Sequence, residues 1–179
     1  MRHISVLILL LLVAGVGCTP TNPFGGPRYD FDGFLAKDKA TIAEYLLNTP
    51  MDSVARIHDP NGVVIVVHEE GQGTKPSPSG LIYVNYVGKL LDGSVFDTNI
   101  ESVARANNLF SENASYRIFQ FSLGSSNVIQ GWNLAFARMK SGTKATIIVP
   151  SPWAYQGSSR DRIPENSILI FEVDFLGMD

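Results

Sequence analysis

Apolar and polar positions alternate along residues 117–123, which puts Phe119, Phe121 and Leu123 on one face of a strand. The same period recurs over residues 167–175, where Leu169, Phe171, Val173 and Phe175 share a face. Residues 144–149 and the β-branched run 63–68 predict two more strands. Residues 81–91 alternate less cleanly and stop at the Asp92-Gly93 turn. The pattern changes to a helical one twice. Trp132, Ala135, Phe136 and Met139 recur at i, i+3, i+4 and i+7 and are closed by Ser141-Gly142. Residues 38–47 carry a broad apolar face around Lys39 and Glu44, and Asn48-Thr49-Pro50 stops them. Residues 100–116 add a short surface helix within a long loop. Strands grouped around one central helix predict an α+β domain, an antiparallel sheet wrapped on a helix.

The start of the chain reads differently. Residues 4–16 are almost wholly apolar, too short to span a bilayer comfortably, and follow Arg2. Gly15 and Gly17 then lead to Cys18, so residues 1–17 read as a secretory signal peptide. A small-residue run ending in cysteine resembles a bacterial lipobox, although Gly15 stands where such boxes usually carry Leu. The resemblance implies cleavage before Cys18 and lipidation of its thiol and new amino group. An ordinary signal peptide with a chance cysteine is the alternative. Residues 18–28, rich in Pro and Gly, then form a tether. Thr19 stands where an Asp would suggest inner-membrane retention, so the expected location is the outer membrane, facing the periplasm.

Composition narrows the chemistry. The 179 residues are 45% apolar and 17% charged, too apolar for a disordered chain. A net charge of −3 argues against a non-specific nucleic-acid binder, which needs a basic face. Cys18 is the single cysteine, so neither an internal disulfide nor a Cys-rich metal site can form. His58 and His68 lack ligand spacing and read as surface or structural residues. GxSxG, P-loop and HExxH motifs are absent, and no spaced carboxylate pair calls for acid–base work. No cofactor or metal is expected. Aromatic and aliphatic residues in strands and turns remain, and for any one of them a place in the core is the simpler reading.

Their order and context carry more. The strings YVNYVGKLLDGSVFD, FQFSLGSSNVIQGWNLAFARMKSGTKATIIVPSPWAYQG and RIPENSILIFEVDFL resemble those of FKBP-type peptidyl-prolyl cis–trans isomerases. The likeness spans about residues 71–176. It implies a twisted antiparallel half-barrel around one short helix, with a proline pocket between helix and sheet. Trp132 would form the pocket floor, and Tyr86, Phe96, Phe119, Val128, Ile129 and Phe171 its walls. Asp97 and Tyr155 would supply polar contacts at the rim, and the Ile129 N–H would bind a substrate carbonyl. Ile163 would sit on a loop closing one side. The implied partners are proline-containing unfolded polypeptides, with a macrolide-type ligand as a further occupant.

Departures from the family pattern are also visible. Gln156 stands where Gly usually follows the tyrosine, Glu165 replaces a second Pro, and the stretch between Asp97 and Phe119 is long. It holds Arg105, which does not align with a family pocket arginine. Two functional classes follow: an active isomerase, or a non-catalytic binding module or holdase chaperone. The expected division is a domain over 71–179 and a helix/strand extension over 29–70. That extension would pack on the domain or serve as a dimerisation arm; a monomer is the default.

Overall fold

The computed structural model describes residues 28–179. The leader, Cys18 and the tether up to Pro27 lie outside the described residues. In chain order the elements are α1 (Phe31–Asn48), β1 (Ala55–His58), β2 (Val64–Glu69), β3 (Leu81–Lys89), β4 (Val95–Thr98) and α2 (Glu101–Ala106). They continue with β5 (Phe119–Ser122), α3 (Gln130–Phe136), β6 (Lys144–Val149), a 3-10 turn at Ser151–Trp153, and β7 (Leu169–Met178).

All seven strands join one open antiparallel sheet in the order β1-β2-β6-β7-β3-β4. β5 and β4 share the edge of β3 opposite β7: β5 pairs along Leu81–Val84 and β4 along Val87–Lys89. α3 fills the inner face. This is the α+β half-barrel expected from the sequence.

The burial pattern explains which strands were easy to recognise. Along β7, Leu169, Phe171, Val173 and Phe175 point to the inner core, while Ile170 points to the outer face. β2 is buried on both sides, with Ile65 and Val67 inward and Val64 and Val66 outward. It therefore reads as an unbroken β-branched run. α1 covers the outer face, setting Ile42 and Leu46 against Val64, Val66, Ile148, Ile168 and Ile170. Burying each such side chain is worth about 1.5–3 kcal/mol. The extension thus packs on the sheet of its own chain, and its strand β2 pairs with β6.

Several boundaries differ from expectation. α1 begins at Phe31 because the Asp30 side chain accepts the Gly33 N–H at 3.0 Å, a helix N-cap. Its first turns turn their aromatics to other partners, Phe31 to Trp153 and Phe34 to Tyr29, so they show no sheet-facing stripe. β1 and β4 had no sequence signal. Each is four residues long; β1 is mostly exposed, and β4 is half-buried without alternation. The helix expected to reach Met139 ends at Phe136 and continues as turns. α3 sits tight on β6: a Cβ at Gly131 would lie 2.2 Å from Val149 Cγ1, so only glycine allows this approach.

Candidate functional site

The inner face carries a cluster of aromatic rings. Trp132, 4% exposed, stands in the first turn of α3. Its ring centroid lies 5.2 Å from Tyr86, 5.7 Å from Phe119 and 5.2 Å from Phe171, all edge-on. Phe96 meets Phe171 edge-on at 5.7 Å. That ring lies across β3 because residue 88 is glycine; a Cβ there would come within 2.7 Å of it. Such edge-to-face pairs are the favoured geometry of aromatic contacts.

These rings line a cavity of about 620 Å³. Tyr86, Phe96, Asp97, Phe119, Val128, Ile129, Trp132, Tyr155 and Phe171 all face it. β3, β4, β5 and β7 each contribute one ring, and the loop entering α3 contributes the two aliphatics. Ile163 corrects the sequence reading. It is 7% exposed and packs in the core cluster, not on the cavity wall. A tight turn, with Arg160 and Ile163 exchanging backbone hydrogen bonds, tucks it inward. Ser126, Asn127, Gln130 and Ala154 also line the cavity. The three polar ones gave no periodic signal; their only mark is adjacency to Val128 and Ile129.

The rim is polar. The Tyr86 hydroxyl donates to Asp97 Oδ2 at 2.7 Å, and the Tyr86 N–H donates to Asn99 Oδ1 at 2.8 Å. Burial, the Asp97 charge and that hydrogen bond push the Tyr86 hydroxyl above the ordinary tyrosine range. Burial also raises Tyr155, opposed by the Arg160 guanidinium 5.1 Å over its ring. Both phenols therefore remain donors at neutral pH. Among the described residues, the Tyr155 hydroxyl and the Ile129 N–H have no hydrogen-bond partner, so both are free for a ligand carbonyl. The buried Trp132 Nε1 also finds no acceptor there.

The loop holding Tyr155 is firmly built. Gln156 itself takes the left-handed conformation, φ +56°, so the loop does not shift to Gly157. Its N–H donates to Ser151 O at 3.0 Å, and its carbonyl accepts from the Asn166 N–H at 2.8 Å. Trp153 Nε1 donates to Asn61 O at 2.8 Å. Arg105 lies away from the cavity, paired with Glu101 and 3.4 Å over the Phe110 ring. His68 is structural: its ring nitrogens sit 2.7 Å from Asp52 O and 2.8 Å from Thr146 Oγ1. No group of three or more metal-ligating side chains occurs among the described residues. No helix there is long and apolar enough to cross a membrane. A larger hollow, about 790 Å³, lies on the outer sheet face beside α1, and ion pairs such as Lys89–Glu172 border it, not a ring cluster.

A family model for FKBP-type peptidyl-prolyl cis-trans isomerase matches residues 72–176. The chain is 36% identical over 121 residues to FK506-binding protein 4 of Rhizopus delemar, covering 66% of this chain and 28% of that one. It is 34% identical over 117 residues to a peptidyl-prolyl cis-trans isomerase of Saccharomyces cerevisiae, covering 65% of this chain and 25% of that one. The chain thus spans about a quarter of the length of these curated relatives. Among solved structures, it is similar to FkpA from Escherichia coli, with a TM-score of 0.60 and 29% identity over 83% of this chain and 62% of that one. It is also similar to a peptidyl-prolyl cis-trans isomerase of Pseudomonas syringae pv. tomato, with a TM-score of 0.61 and 25% identity over 86% of this chain and 99% of that one. Both structural likenesses extend further along the chain than the family match does. With the ring-lined cavity at the junction of sheet and helix, the match over residues 72–176 makes this chain a member of the FKBP-type peptidyl-prolyl cis-trans isomerase family.

Proposed function

We propose that the protein is a peptidyl-prolyl cis–trans isomerase acting on exported polypeptides in the bacterial cell envelope. The observation that carries this is the cavity floored by Trp132 and walled by Tyr86, Phe96, Phe119 and Phe171. Rotating an X-Pro amide means leaving a resonance-stabilised plane, a barrier of about 18–20 kcal/mol. The twisted transition state has lost much of the charge separation between carbonyl and nitrogen. A dry aromatic cavity favours that state over the polar planar one. A thousandfold acceleration needs only about 4 kcal/mol of such preference. No nucleophile is required. The proline ring packs on Trp132, while Tyr155 and the Ile129 N–H hold flanking carbonyls and fix the backbone as the amide turns. The same cavity would accept a macrolide-type ligand.

The test is the relaxation of a proline tetrapeptide from cis to trans with and without the protein. Acceleration is expected; equal rates across several residues before proline would sink the proposal. A holdase role is the second reading, favoured by the 100–116 insertion, whose last residues line a cleft beside the cavity mouth. Phe96→Ala separates the two. If suppression of client aggregation survives while isomerisation disappears, holding does not need the cavity.

Cys18, once lipidated, would attach the chain to the outer membrane on its periplasmic side, with residues 19–27 as tether. Several acyl chains give stable anchoring, since each buried methylene adds about 0.8 kcal/mol. We take the working form as a monomer.

A further inference from the structure

The cavity does not end at Asp97. A second cleft, about 470 Å³, shares Tyr86, Asp97 and Phe119 with it and continues over Asn99, Tyr116 and Arg117. Residues 114–118 wall this cleft, and the segment 107–118 that carries them is held in place. Tyr116 stacks on Phe110, centroids 5.6 Å apart, and its hydroxyl accepts the Ser111 N–H at 3.0 Å. Asn99 Nδ2 donates to Arg117 O at 3.0 Å and to Asn85 Oδ1 at 2.8 Å, tying the segment to β3. At its other end, the Arg162 guanidinium donates to Asn108 O at 2.9 Å.

The charge in this cleft is uneven. Asp97 lies on the proline side and accepts the Tyr86 hydroxyl. Arg117 is exposed at the far side, and its Nε donates to the neutral Ser115 Oγ at 2.6 Å. Among the described residues no carboxylate stands within ion-pair distance of Arg117. The nearby Glu101 is paired with Arg105 at 2.7 Å. Arg117 precedes the cavity residue Phe119 by two positions, a span of about 7 Å in extended chain. An extended peptide seated in the cavity covers the same distance in about two residues.

We propose that this cleft is a second peptide subsite, continuous with the proline cavity. It holds the substrate chain beside the proline and takes an acidic side chain about two residues away on Arg117. The proposal rests on the isomerase reading for its substrate, but its test does not depend on turnover.

Peptides with Glu or Lys two residues from proline, on either side, would be compared for affinity by fluorescence anisotropy and for kcat/KM. A short tetrapeptide lacking both serves as the reference substrate. The expected result is a preference for Glu over Lys on one side, up to about fivefold for an exposed ion pair, shrinking with added salt. Arg117→Glu should reverse it and Arg117→Lys should preserve it. Both variants change an exposed side chain, and their folding is checked by circular dichroism. Equal affinity for Glu and Lys peptides, with the tetrapeptide still accelerated, would overturn the subsite alone. A Glu preference without tetrapeptide acceleration would support the subsite and overturn the isomerase reading. An unreversed preference in Arg117→Glu would also overturn the assignment to Arg117.

Discussion

Ser151 gives both its backbone N–H and its hydroxyl to one carboxylate oxygen of Asp38, at 2.7 and 2.6 Å. Asp38 is 3% exposed on α1, and Ser151 opens the turn that leads to Ala154 and Tyr155 at the cavity. With Phe31 packed edge-on against Trp153 at 4.9 Å, this joins the N-terminal helix to one wall of the site.

Asp38→Ala removes the acceptor of two buried donors on Ser151, of which only the hydroxyl has another partner in reach, the Tyr29 hydroxyl at 3.5 Å. Each such orphan costs about 1–3 kcal/mol. Urea unfolding should show a loss of about 2–4 kcal/mol, and kcat/KM on a tetrapeptide should fall as the Tyr155 loop loosens. Asp38→Asn keeps an acceptor oxygen and should recover most of both. An unchanged urea midpoint in Asp38→Ala would show that the pair contributes nothing.

Alkaline pH should weaken the fold through its phenols. Burial raises Tyr86, Tyr155 and Tyr29, while Tyr83 is raised by its hydrogen bond to Asp179. Because their folded values lie above the unfolded value, the unfolded chain loses these protons first. The contribution is complete below about pH 10 and declines as pH rises above it. Tyrosinate absorbance of the native protein should therefore lag that of the unfolded chain. Tyr86→Phe should shrink the lag most, and coincident titration curves would contradict the burial argument.

Gln156 sits at φ +56°, where side-chain-bearing residues are strained. Gln156→Gly relieves that strain but loses the side-chain bond to Pro152 O, 3.2 Å long. The expected balance is a gain of about 0.5–1 kcal/mol, a rise in Tm of about 1–4 °C. A lower Tm would mean that the side-chain contact outweighs the backbone term.

Lipid attachment is tested directly at Cys18. Cells fed a labelled fatty acid should transfer label to the wild-type protein and not to Cys18→Ser, which should leave the membrane fraction. Label on the serine variant, or an unchanged membrane fraction, would refute the anchor.

The sequence was informative where burial is one-sided or complete, and silent elsewhere. β6 was readable to its ends, because residues 145–149 are buried throughout. β1 was not, since an exposed edge strand has no face that must be apolar. The cavity rings were legible only through the motifs that resemble the FKBP-type family, since strand aromatics such as Phe121 and Phe175 serve the core instead. Ile163 could not be placed from sequence, because an isoleucine on a loop serves a core as well as a wall. Ser126, Asn127 and Gln130 face the cavity through the geometry of the turn into α3, which no periodicity records. The clamp by Asp38 joins residues far apart in the chain, and a lone carboxylate on a helix announces no partner.

β7, the last strand in the chain, lies between β6 and β3 in the middle of the sheet. Synthesis order and spatial order are therefore opposed. β2 waits for β6, made some eighty residues later in the register Val67 to Ala145, and the two halves of the sheet wait for β7. Such distant pairings make folding slow. Phe171 belongs to β7, so the aromatic cavity stays incomplete until β7 has been made. The cavity is complete only once residues 169–178 are free to pair, and a truncation within β7 removes stability and site together.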